Sequence, residues 1–94
     1  MEQLARTIEL RGLGEPITAT EVKRTGKVCM YLRSDNVYEV FIVKVAKAKN
    51  LFGKQYEERE VYPTNEDFGS NAWCFSKEIE PADRLFNKLV NEGN

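Results

Sequence analysis

Apolar and polar positions divide the chain into a long β-patterned body and a helical end. Residues 16–24, Pro-Ile-Thr-Ala-Thr-Glu-Val-Lys-Arg, are rich in Thr, Val and Ile and predict a strand. Thr25-Gly26 follows as a tight turn, and residues 27–33, Lys-Val-Cys-Met-Tyr-Leu-Arg, predict a second strand. Asp35-Asn36 suits a two-residue turn, because both side chains tolerate positive φ. Residues 37–48 form the longest strand-like run, and a turn at Asn50 to Lys54 uses Gly53. Residues 56–62 and 71–76 predict two further strands, separated by a loop from Pro63 to Gly69. Near the start, Leu4, Ala5 and Ile8 have helical spacing, while Thr7 to Leu10 has the alternation of an edge strand. Both readings stay open.

The pattern also sets a register. A two-residue turn at 35–36 places Ser34 opposite Val37. Val28, Met30 and Leu32 then share a face with Val43, Phe41 and Glu39, and Cys29 and Tyr31 share the other with Ile42 and Val40. Both faces are apolar, whereas an antiparallel sheet with one wet face alternates apolar and polar. The second face therefore needs a cover: the N-terminal segment, the 63–69 loop or another molecule, with Phe68 and Trp73 the nearest candidates. At the C-terminus, Ala82, Leu85, Phe86, Leu89 and Val90 line one stripe of a 3.6-residue period, with Pro81 at its start and Gly93 at its end. The expected fold class is α+β: an antiparallel β-sheet of about four to five strands with a C-terminal α-helix packed on one face. Residues 1–94 make a single small domain, with 1–15 a flexible or edge segment.

Composition narrows the chemistry. The 94 residues hold 14 Lys and Arg, 15 Asp and Glu, two Cys and no His. Without His there is no Ser-His or Cys-His nucleophile pair and no mixed Cys/His zinc site. Cys29 and Cys74 lie far apart in no CxxC pattern, and both are expected as buried, apolar thiols. No apolar run approaches a membrane span, and the N-terminus lacks a signal-like apolar stretch. A cytoplasmic, non-catalytic protein with no cofactor and no metal site is expected.

Charge is unevenly placed. Lys23 to Lys54 holds eight basic and two acidic residues; Gln55 to Glu80 holds seven acidic and two basic. The bland expectation is neutralisation within the sheet, with Lys44, Lys47 and Lys49 opposite Glu57, Glu58 and Glu60. The sharper one is a basic patch of Lys44, Lys47, Lys49 and Lys54 for nucleic acid, with Tyr31, Tyr38, Phe52 and Tyr56 as stacking surfaces. The acidic clusters at 57–60 and 66–67 lack the spacing of a calcium loop and are expected as solvated edges. Glu39 projects from an apolar hairpin and is expected near water or Arg33. Gly12-Leu13-Gly14 has no following Lys-Ser/Thr and is no phosphate loop.

The segment from Val61 to Phe75 alternates aromatics with turn-forming polars. It is expected to pack on the sheet; the functional alternative is a binding surface of Tyr62, Asn65, Glu66, Phe68 and Trp73. Together with Val37-Tyr38-Glu39-Val40-Phe41, Leu51-Phe52-Gly53-Lys54, Glu60-Val61-Tyr62-Pro63, Asn65-Glu66-Asp67-Phe68-Gly69 and Ala72-Trp73, it resembles a set of short phage, prophage and bacterial mobile-element proteins of unassigned function. The resemblance covers roughly residues 22–90 and implies a small accessory protein, without implying any catalytic or binding residue. A double-stranded-RNA-binding domain also ends strands with a helix, but Glu78, Glu80 and Asp83 at the start of this helix repel phosphate. A protein partner or a homodimer is expected, with a nucleic-acid module as the alternative and no membrane contact.

Overall fold

The computed structural model describes residues 3–10 and 16–93. The Gly12-Leu13-Gly14 reading lies outside them. Five strands form one antiparallel sheet in the order β1 (Thr7–Leu10), β2 (Ile17–Thr25), β3 (Val28–Arg33), β4 (Val37–Ile42), β9 (Ala72–Ser76). Between β4 and β9 the chain makes two small ribbons: β5 (Lys44–Ala46) with β8 (Arg59–Val61), and β6 (Lys49–Leu51) with β7 (Lys54–Tyr56). The chain closes with α1 (Ile79–Asn91) packed on the sheet. The fold class is the expected α+β sheet with one covering helix, and Thr7–Leu10 takes the edge-strand reading.

The hairpin register departs from expectation by one residue. Val28 pairs with Ile42, Met30 with Val40, Tyr31 with Glu39 and Leu32 with Tyr38. The turn has three residues, not two: the Asn36 amide donates to the Arg33 carbonyl (3.0 Å), and Asn36 carries the left-handed φ of 65°. A two-residue type I′ turn needs positive φ at both central positions, and Asp35 does not supply it. A one-residue slip exchanges the faces of a whole strand. Glu39, Phe41 and Val43 therefore join Cys29 and Tyr31, while Val40 and Ile42 join Val28 and Met30.

Each face has its own cover. Ala82, Phe86 and Leu89 of α1 bury themselves on Val28, Met30 and Val40, with Trp73 and Phe75 at the margin. On the other face Leu4, Ile8 and Leu10 from the N-terminal segment join Tyr62 and Phe68 over Cys29, Tyr31, Phe41 and Val43. Two of the three expected covers thus act together. Trp73 is a correction: it alternates onto the helix side, because its neighbours Ala72 and Cys74 occupy the other face. Tyr31, Phe41 and Tyr62 form an aromatic cluster with centroids 5.1–5.7 Å apart, and the Tyr31 hydroxyl donates to the Ala5 carbonyl at 2.7 Å.

The expected strand 37–48 breaks at Val43. β3 begins at Val28, which pairs with Ile42, so among the described residues the chain beyond has no strand neighbour in the main sheet. After Val43 donates its amide to the Lys27 carbonyl (2.7 Å), the chain peels away and pairs with β8. The expected strand 56–62 is likewise divided between β7 and β8.

Candidate functional site

Two places carry polar chemistry that folding does not use up: the β6–β7 arm and a cavity on the N-terminal side of the sheet. The arm is a minimal hairpin whose six strand residues are all exposed. Its turn is Phe52-Gly53, with φ of 52° and 77°. Positive φ at both positions is the type I′ geometry that matches strand twist. Gly53 adopts it without cost, but Phe52 does not, since a bulky residue is an outlier there. The Phe52 side chain is 97% exposed, and Leu51 and Tyr56 are also open to solvent.

The expected cross-strand neutralisation does not form. Lys44 faces Val61, Lys49 faces Tyr56 and Lys54 faces Leu51. The acids are used elsewhere. Glu60 accepts both Arg24 terminal nitrogens, at 2.6 and 2.7 Å, and the Leu4 amide at 2.9 Å. Arg24 holds its carboxyl down at about 2, partly opposed by burial. Asp67 accepts Lys44 at 2.8 Å and the Thr64 amide and hydroxyl at 2.8 and 3.1 Å, closing the 3-10 turn Asn65–Asp67. The Lys44 ammonium, with the Thr64 amide, keeps its carboxyl below the usual range. Glu60 and Asp67 are thus structural, not the solvated edges that composition suggested. Lys23 pairs with Asp83 and lies 4.5 Å over the Phe86 ring, and Arg33 pairs with Asp35. Among the described residues Lys47, Lys49 and Lys54 make no ion pair, and Lys49 lies 6.0 Å over the Tyr56 ring. Of the expected basic patch, Lys47, Lys49 and Lys54 fall on or beside the arm, and Lys44 is spent at its base.

The cavity, of about 590 Å³, is lined by Leu10, Arg33, Glu39, Tyr62, Pro63, Thr64, Phe68 and Cys74. It gathers Tyr62 and Phe68 from the expected binding segment. Trp73 lies across the sheet, Glu66 is exposed on the 3-10 turn, and the Asn65 side chain lies outside the described set. Glu39 is the residue that the one-residue slip brings in. It is only 2% exposed. Its Oε2 lies 3.8 Å from both an Arg33 nitrogen and the Cys74 thiol. Burial raises the Glu39 carboxyl above the ordinary range, partly countered by Arg33. Glu39 Oε1 and the Tyr62 hydroxyl are buried without a hydrogen-bond partner. Cys74 is exposed, contrary to expectation, and Cys29 is buried, its thiol pushed up to about 11 by burial. Burial and the Glu39 carboxylate also raise the Cys74 thiol, so neither is an activated nucleophile.

No family model, no curated protein and no solved structure matches the chain. Among the described residues no helix is long and apolar enough to cross a membrane.

Proposed function

We propose that this is a small, non-catalytic accessory protein of the phage or mobile-element kind, which works by presenting the β6–β7 arm to a protein partner. One observation supports the reading above the rest: Phe52 stands almost wholly in solvent at the tip of a two-residue turn, in a conformation unfavourable to it. Folding gains nothing from a side chain so placed. Burying it in a partner's apolar pocket would contribute about 1.5–3 kcal/mol, and aromatic anchors of this kind dominate interface energetics. Lys47, Lys49 and Lys54 flank it without acidic neighbours between residues 47 and 56, so the fitting pocket has an acidic rim.

The same three lysines favour a second reading, insertion of the arm into nucleic acid with Phe52 stacked on or wedged between bases. The overall charge of −1 and the acids Glu57 and Glu58 at the arm's base weigh against it. The test is capture on immobilised protein from bacterial lysate, with and without nuclease, comparing the wild type with Phe52→Ser. The partner reading expects a protein that is lost with Phe52→Ser and retained after nuclease, and that rebinds when purified. Capture abolished by nuclease, together with salt-sensitive binding of a labelled oligonucleotide by the pure protein, would establish the second reading instead.

A further inference from the structure

We propose that the surface the arm fits is on a second copy of this chain: the Glu78-Ile79-Glu80 start of α1, seated on the basic face of the β6–β7 arm; this rests on the reading of the arm as a protein-binding element and names what it binds.

The arm has two unlike faces. Cross-strand partners share a face of a hairpin, so Lys49 and Tyr56 lie on one side with Leu51 and Lys54, while Asn50 and Gln55 occupy the other. The first face is basic and apolar. It continues into a cavity of about 490 Å³ at the arm's base, where Lys47 and Arg59 join Lys49, Leu51 and Tyr56, and Glu57 is the one acid. Among the described residues none of Lys47, Lys49, Lys54 and Arg59 is in an ion pair. Four unpaired cations around an exposed Leu and Tyr, with Phe52 at the tip, are complementary to an apolar side chain held between carboxylates.

The chain itself carries such an element. Outside the arm, its exposed large apolar side chains among the described residues are Val22, Val45 and Ile79. Val22 stands between Glu21 and Lys23, and Val45 between Lys44 and Ala46. Ile79 stands between Glu78 and Glu80, both exposed, and the three line a cavity of about 290 Å³ with Pro81 and Arg84. Ile79 has the spacing of the docked stripe of Ala82 and Phe86, yet it is 46% exposed. Among the described residues Glu78 and Glu80 make no ion pair, whereas Asp83, one turn on, is taken by Lys23. Two free carboxylates outweigh the Arg84 guanidinium on the same wall. The contact is between copies, because Phe52 at the arm's tip stands free of its own chain. Such a contact joins two different surfaces, and repeated twice about a two-fold axis it closes a dimer.

Sedimentation velocity of the intact protein, from micromolar to near-millimolar concentration, is the test. The expected result is reversible self-association that weakens as salt rises from about 0.05 to about 0.5 M. Lys49→Glu/Lys54→Glu and Glu78→Lys/Glu80→Lys should each weaken it at least about tenfold. An equimolar mixture of the two should associate again, since each supplies the charge that the other has reversed. Phe52→Ser should weaken it by a similar factor. Lys27→Glu/Lys88→Glu alters net charge as the arm variant does, at exposed residues that line neither cavity, and should leave it unchanged. Circular dichroism verifies that every variant is folded, and an unfolded helix variant is replaced by Glu78→Gln/Glu80→Gln, which removes the charge alone. A monomer at every concentration, or self-association indifferent to the Glu78 and Glu80 changes, overturns the proposal. A foreign protein captured through Phe52 by a monomeric wild type keeps the arm as a contact surface and removes only the second copy as its partner; neither self-association nor capture through Phe52 removes the arm as well.

Discussion

The β3–β4 hairpin and the β6–β7 arm are built from the same parts and live in opposite surroundings. Each is a pair of antiparallel strands joined by a short turn with a left-handed residue, Asn36 in one and Phe52 and Gly53 in the other. The first has β2 and β9 on its two edges, α1 on one face and the N-terminal segment with Tyr62 and Phe68 on the other. Among the described residues the second has no further strand on either edge, and all its strand residues are exposed. An isolated two-stranded hairpin is marginal at best in water. The arm therefore borrows its order from the β5–β8 ribbon at its base, which Glu60 clamps to Arg24 and Asp67 clamps to Lys44. The lesson is that an aromatic residue in a β-hairpin is evidence of core or of contact surface only once its neighbours are known.

The contrast is broken most severely by truncating the shared aromatic core. Phe41→Ala should cost about 3–5 kcal/mol, read by chemical denaturation, because Phe41 is fully buried between Tyr31 and Tyr62. A loss below about 1 kcal/mol would mean that the N-terminal cover is not in place. Leu89→Ala tests the opposite face and should cost about 2–5 kcal/mol, Leu89 being buried against the sheet. Unchanged melting of that variant would remove the helix from its position.

Next in size is the clamp between the two regions. Arg24→Met should cost about 1.5–3 kcal/mol at pH 7, the range of charge-assisted hydrogen bonds. The folded Glu60 carboxyl is held at about 2 against an ordinary value of 4.5, so its contribution is complete above pH 4.5 and fades as pH falls toward 2. The variant's stability should lose that component of acid dependence; an acid profile parallel to the wild type would assign it elsewhere. Glu39 has the opposite sign. Its folded carboxyl is raised, so ionising it opposes folding as pH rises above 4.5. Glu39→Gln should therefore stabilise the protein at pH 7 by about 1 kcal/mol, with the gain shrinking as pH falls toward 4.5 and absent below it.

The smallest stability effect belongs to the arm. Phe52→Asn should leave melting unchanged or raise it by about 0.5 kcal/mol equivalent, since Asn tolerates the left-handed region better than Phe and no packing is lost. The same variant should abolish partner capture. A marked drop in stability would show that Phe52 is covered in solution and would remove the arm from consideration as a contact surface.

Much of the fold was legible in local pattern. Strand-forming runs at 16–24, 27–33 and 71–76, and the Ala82-Leu85-Phe86-Leu89-Val90 stripe, identify elements because each repeats its own period over enough residues. The site was legible only in part. Tyr62 and Phe68 stood out as aromatics among turn formers, but Trp73, one strand position off the other face, was assigned to the wrong side. The decisive miss is Glu39. Asp35-Asn36 supports either a two- or a three-residue turn, and that single choice exchanges the faces of all of β4. Nothing short-range resolves it, because both faces of the hairpin are apolar and either register buries a similar surface.

Taken alone, the order of residues determines the period of each segment, the amphipathic helix, the absence of imidazole chemistry and the uneven charge along the chain. These are local or compositional properties, and neighbours cannot alter them. Tertiary structure decides the rest: which turn closes the hairpin, which strand neighbours Val43 lacks, which acids Arg24 and Lys44 take, and hence which lysines and which carboxylate oxygen stay unpaired. The reason is physical. Hydrogen bonds, ion pairs and burial are formed between residues distant in sequence, Arg24 with Glu60 and Glu39 with Cys74, and their geometry exists only after the sheet has set its register.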